Sequence, residues 1–89
     1  MGNLSTLADK VRSTFVAEFP PPDEIGLSIR DGIVVFVTSP RFEGLDDPAR
    51  QNLVWGLLDR SLTIEERRAV SIVVALTPKE RSFHLAAAE

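Results

Sequence analysis

Few side chains in this 89-residue chain are equipped for chemistry. It has no cysteine and a single histidine, His84. Without cysteine there is no disulfide, no thiolate metal site and no thiol nucleophile. One imidazole excludes a multi-histidine metal site within one chain. Asp46 and Asp47 look like an acid–base pair, but adjacent carboxylates at a helix start are accounted for by capping and by the helix dipole. There is no serine elbow and no phosphate-cradling glycine loop. We therefore assign no catalytic residue, no cofactor-binding residue and no metal ligand, and read the chain as not an enzyme. What remains are contact residues: Arg41, Arg50, Trp55, Arg67 and Arg68. Tryptophan is enriched at the anchoring points of interfaces, and Trp55 falls to the side of its helix; the alternative is a core or rim aromatic packed on the first helix. Arg50 lies in a first helical turn, where a cation opposes the helix dipole. It serves a ligand there, or pairs with Asp46, Asp47 or a C-terminal carboxylate. Glu65-Glu66-Arg67-Arg68 is charge-balanced and reads as a capping box and an exposed turn.

Ten basic against thirteen acidic residues give a net charge of −3, which weighs against a general nucleic-acid coat. No apolar run approaches the roughly 20 residues that span a bilayer. Met1-Gly2-Asn3-Leu4-Ser5-Thr6 fits the loose N-myristoylation pattern. The simpler account is a helix N-terminus beginning with glycine, since a second lipid site or polybasic patch is missing. Asp9, Lys10, Arg12 and Glu18 interrupt any secretory leader. The expected location is the cytoplasm.

The elements that must position these residues follow from periodicity. Leu4, Leu7, Ala8, Val11, Phe15 and Phe19 recur at helical spacing, with Asn3 as cap. Pro20-Pro21-Pro22 ends that helix. Ile25, Leu27 and Ile29 alternate as in a half-buried strand. Asp31-Gly32 marks a hairpin turn into Ile33–Thr38, which is apolar on both faces like a central strand. After a loop from Ser39 to Gly44, Asp47-Pro48 reads as N-cap and first helical residue. That helix runs to about Arg60, with Leu53, Val54, Leu57 and Leu58 on one face. Thr63-Ile64-Glu65-Glu66 starts a second, short helix. Ala69–Thr77 is a third strand, and Pro78 opens a C-terminal helix with a frayed tail at about 85–89. The order is α-β-β-α-α-β-α in one α+β domain spanning 1–89. A right-handed crossover makes strand three parallel to strand two. The expectation is a three-stranded mixed sheet with helices on one face. Ile25–Ile29 is the candidate edge for self-association, weakened by Gly26 and Arg30, and the chain is expected to be a monomer or weak dimer.

With these elements in place, the chain resembles the BolA-like family, whose fold is similar to the type II KH fold. Ser39-x-x-Phe42-x-Gly44 resembles the family's serine-phenylalanine-glycine segment after the second strand. Arg50 falls where its Arg-His-Arg triplet begins. Val54 and Trp55 fall at its aliphatic and aromatic positions, and Leu58 and Leu62 continue the pattern. Thr77-Pro78-Lys79-Glu80 resembles its Thr-Pro-x-Glu closing segment. The match covers most of residues 11–83.

The departures concern the ligands. The triplet reads Arg50-Gln51-Asn52. Arg68-Ala69-Val70 stands where the family has His-Ala-Leu, and Leu62 to Thr77 runs about two residues long. The loop between strands one and two, which often supplies a ligand in the family, is Arg30-Asp31-Gly32. The resemblance implies a monothiol glutaredoxin partner and a shared [2Fe–2S] cluster, which needs thiolate or imidazole donors. Here neither stands at the expected places, and His84 reads as an exposed residue near the C-terminus. The expectation is a divergent BolA-like interaction and regulatory module, docking a glutaredoxin-like protein without ligating a cluster and without a cofactor of its own. The alternative is a KH-like nucleic-acid binder or transcriptional regulator using the same arginines. It lacks the GxxG loop by which KH domains clamp the backbone.

Overall fold

The computed structural model describes residues 4–82. The Gly2 acylation pattern, the Asn3 cap, His84 and the tail from 85 lie outside the described residues. Helix α1 (Leu4–Glu18) is followed by strand β1 (Glu24–Arg30), strand β2 (Gly32–Thr38) and a 3-10 turn (Pro40–Phe42). Helix α2 (Asp47–Ser61), helix α3 (Ile64–Arg68) and strand β3 (Val70–Leu76) complete the order. Residues 78–82 are again helical. No helix of the described residues is long and apolar enough to cross a membrane.

The strands form one sheet in the order β1-β2-β3. β1 pairs antiparallel with β2, and β2 pairs parallel with β3. The fold is thus α+β with a mixed three-stranded sheet, as the element order predicts. The tight turn depends on Gly32, whose φ is 119°. A Cβ there would also fall 2.1 Å from the Ser71 hydroxyl oxygen, and that hydroxyl donates to the Asp31 carbonyl.

One face of the sheet is covered. Ile33, Val35 and Val37 of β2, with Val70, Val73 and Ala75 of β3, meet Val11, Phe15 and Phe19 of α1 and its continuation and Val54, Leu57 and Leu58 of α2 in a single core. The other face carries Val34, Phe36, Ile72 and Val74, and Phe36 and Ile72 are 43% and 54% exposed. The two-sided apolar pattern of β2 therefore reflects a central strand in a sheet with one open face. A register shift opposite Ile33 and Val34 marks a bulge at the start of β3. It lets Val70 and Val73, an odd number of residues apart, both point into the core.

Local capping explains the helix starts. Asp46, rather than Asp47, caps α2, its side chain accepting from the Ala49 N–H. The acidic Asp47 then sits in the first turn, where it complements the dipole. Thr63 and Glu66 form the reciprocal capping box of α3. The segment after β2 is a 3-10 turn capped by buried Ser39, whose hydroxyl accepts from the Arg41 N–H.

Candidate functional site

The five contact residues separate into two regions. The first lies where α1 ends and α2 begins. Phe42 is fully buried, with its ring centroid 5.5 Å from that of Phe19. Arg41 lies over the Phe19 ring at 4.5 Å and binds the Glu18 carbonyl at 2.9 Å and the Glu18 carboxylate at 3.3 Å. Arg50 lies 6.0 Å from the Phe42 ring centroid.

Arg50 is only 8% exposed, and its guanidinium is committed to the fold. Its Nε donates to the Leu45 carbonyl at 2.9 Å and its Nη1 to the Ala75 carbonyl at 3.2 Å. Nη1 and Nη2 also grip the Glu80 carboxylate in a two-pronged pair at 2.6 and 3.2 Å. Glu80 is itself fixed by a second capping box: it accepts from the Thr77 N–H, and its own N–H donates to the Thr77 hydroxyl. The Arg50 bond, then the Thr77 N–H, hold the Glu80 carboxyl down at about 2, against a smaller opposing effect of burial. The Glu80 hydrogen bond raises the Arg50 pKa despite burial, with the charges of Glu80 and Asp47 adding to it. A cation in the first turn of α2 is thus explained by a carboxylate near the C-terminus, and Arg50 is withdrawn from the contact surface.

Gln51 works beside it. Its side-chain amide donates to the Val73 carbonyl at 2.9 Å. Arg50 and Gln51 together cover the outward carbonyls at 75 and 73 of β3, an edge strand. In the sequence, Gln51 figures only as the residue standing in a histidine position. The signal for Glu80 was present in the Thr77-Pro78-Lys79-Glu80 segment, whose first and fourth residues make the capping box.

The second region is on the outside of α2 and α3. The Trp55 indole N–H donates to the Gln51 side-chain oxygen at 2.9 Å. The half-buried ring packs against the core, and the Arg67 guanidinium lies over it 5.1 Å from its centroid. Arg67 also pairs with Asp59. Arg68 is exposed and has no ion pair among the described residues. The structure therefore brings Trp55 and Arg67 together with Arg68 adjacent, and leaves Arg41 and Arg50 at the other cluster. α3 is tied back to α1 by Lys10 and Glu66 at 2.8 Å; that hydrogen bond, first, and the Thr63 N–H lower the Glu66 pKa.

The open face of the sheet holds a third feature, a shallow cleft of about 600 Å³. Phe36, Leu76, Thr38 and the side-chain-free Gly26 line it, and the Glu24–Arg81 ion pair crosses its rim. Among the described residues no three metal-binding side chains gather.

No protein-family model matches this chain. No curated protein and no solved structure matches it at a significant level.

Proposed function

We propose that this chain is a non-enzymatic interaction module of the BolA-like kind, which docks a monothiol glutaredoxin-like protein through Trp55, Arg67 and Arg68. The observation that carries the reading is the Trp55–Arg67 stack. The Trp55 indole N–H is bound to Gln51 and the Arg67 guanidinium lies over its half-buried ring, so a pre-oriented aromatic–cation pair stands beside a second exposed cation, Arg68. Aromatic and arginine side chains of this type are the anchors on which interface energy concentrates. The element order and mixed sheet agree with the resemblance that Ser39, Phe42, Gly44, Trp55 and Glu80 support.

The chemistry of the patch is cationic and aromatic, which suits an acidic partner surface. It offers no thiolate or imidazole, so docking proceeds without a cluster ligand from these residues. The test is calorimetric titration of this chain into a monothiol glutaredoxin freed of its cluster, alongside visible circular dichroism of the cluster-loaded protein with and without this chain. The expected result is binding to the cluster-free form that weakens at least tenfold in Trp55→Ala or in Arg67→Glu/Arg68→Glu, with the visible spectrum unchanged. A spectrum that changes and loses that change in His84→Ala would instead place a cluster ligand on this chain. Absence of binding to either form, with salt-dependent binding to single-stranded RNA, would replace this reading with the nucleic-acid one.

A further inference from the structure

The two edges of the sheet are treated differently. The β3 edge is covered by the Arg50 and Gln51 side chains on its outward carbonyls. The β1 edge receives, among the described residues, only Arg12, whose Nη1 donates to the Ile25 carbonyl at 3.2 Å. Which β1 groups face outward is set by β2. The Ile33 N–H donates to the Ala69 carbonyl, toward β3. Ile33 therefore does not exchange hydrogen bonds with Ile29, its β1 neighbour in the register. The backbone groups of Ile29, Leu27 and Ile25 consequently point away from the sheet, in agreement with the Arg12 bond. Natural edges are blunted by proline, bulges, charged side chains or a covering helix or loop. From Ile25 to Ile29 the strand itself has no proline, charged residue or bulge, its register with β2 is regular throughout, and the Arg12 side chain of α1 reaches it at one carbonyl alone among the described residues.

β1 is also complementary to itself when reversed. Its sequence is Glu24-Ile-Gly-Leu-Ser-Ile-Arg30. A two-fold axis at Leu27 places Glu24 opposite Arg30 of a second copy, Ile25 opposite Ile29, Gly26 opposite Ser28, and Leu27 opposite itself. All three outward-facing residues then meet outward-facing residues, each opposed pair exchanging two hydrogen bonds. The charged pair falls at a non-hydrogen-bonded position, where side chains approach closest. Ile29, which is 45% exposed, gains an apolar neighbour. An axis at Gly26 would leave Arg30 beyond the strand, opposite Pro22.

We propose that β1 is a self-association edge, and that two copies of this chain join antiparallel about Leu27 into one continuous six-stranded sheet. Gly26 and Arg30, which the sequence alone marks as weakening this edge, take part in its matching: Gly26 leaves room beside Ser28, and Arg30 supplies the charge for Glu24. Glu24 already pairs with Arg81 within the chain, so in the assembly it bridges two arginines. Arg12 moves aside or shares the Ile25 carbonyl, which has two lone pairs.

The test is sedimentation equilibrium of the full chain up to about 1 mM. The mass is expected to rise from 9.8 kDa toward twice that value with concentration. Arg30→Glu, which opposes like charges twice per dimer, is expected to weaken association about tenfold. Glu24→Arg/Arg30→Glu restores opposite charges and is expected to recover wild-type association. A contact readout uses the absence of native cysteine: Gly26→Cys and Ser28→Cys chains form a cross-linked dimer when mixed and oxidised, and neither does so alone. A monomer mass throughout the range would overturn the proposal. So would a dimer indifferent to Arg30→Glu and without the mixed cross-link.

Discussion

Two clusters built from the same parts sit at opposite ends of α2. Each has an arginine near an aromatic ring and a carboxylate that pairs with it: Arg50 with Phe42 and Glu80, Arg67 with Trp55 and Asp59. The Arg50 side chain is 9% exposed and the Arg67 side chain 45%. That difference decides what each does. Arg50 has its donors on two backbone carbonyls and a carboxylate, so removing it strands acceptors inside the protein. Arg67 makes a screened surface pair of small net value, and its guanidinium stays presentable to another molecule. Identical chemistry is structural where water is excluded and available for contact where it is not.

The largest effect expected from dismantling the buried cluster comes from its ring. Phe42→Ala removes a fully buried aromatic between Phe19 and Arg50 and should lower stability by about 3–5 kcal/mol in urea unfolding. Arg50→Met keeps the volume but leaves the Leu45 and Ala75 carbonyls without this donor and the Glu80 carboxylate with only the Thr77 N–H. A loss of about 2–3 kcal/mol is expected by the same measurement. A loss as small as that of Arg67→Met would erase the contrast between the clusters.

Acid probes the buried cluster as well. The Glu80 carboxyl titrates at about 2 in the folded chain, against 4.5 for an ordinary glutamate. Between those values the unfolded chain binds the proton and the folded chain does not, so stability falls as pH falls through this window. Glu80→Gln should make the decline between pH 4.5 and 2 shallower. It should not abolish it, because the Glu66 pKa is lowered as well. A Glu80→Gln profile parallel to that of wild type would show that the Arg50 pair does not contribute. The smallest change is expected at the exposed cluster: Arg67→Met or Asp59→Asn should shift stability by less than about 1 kcal/mol.

Much of the fold was legible because its signals are local. Helical spacing from Leu4 to Phe19, the Asp31-Gly32 turn and the Thr63–Glu66 capping box each declare an element within a few residues. The sequence places the α2 cap at Asp47, one residue late, because Asp46 and Asp47 are equally good caps in isolation, and only the position of the Ala49 N–H decides between them. For Arg50 the sequence offers a ligand, Asp46, Asp47 or a C-terminal carboxylate, and no local signal selects the last, which the structure shows. Its partner is thirty residues along the chain, and nothing near Arg50 shows that β3 returns beside α2. The bulge at the start of β3 was likewise hidden, since an apolar β-branched run fits either register until its partner strand is known. Trp55 was singled out by residue type, but its orientation comes from Gln51 one turn earlier and Arg67 on another helix.

The contrast between the clusters is tested most directly at Trp55, the only tryptophan in the chain. A nitrogen-15-labelled sample gives one indole N–H resonance, which reports the Gln51 bond and the Arg67 stack together. Titration with cluster-free monothiol glutaredoxin is predicted to shift or broaden that resonance and the Arg67 and Arg68 amides, while the Arg50 guanidinium signals stay in place. Binding that leaves the indole unmoved and perturbs Arg50 or its neighbours would contradict the assignment of the two clusters.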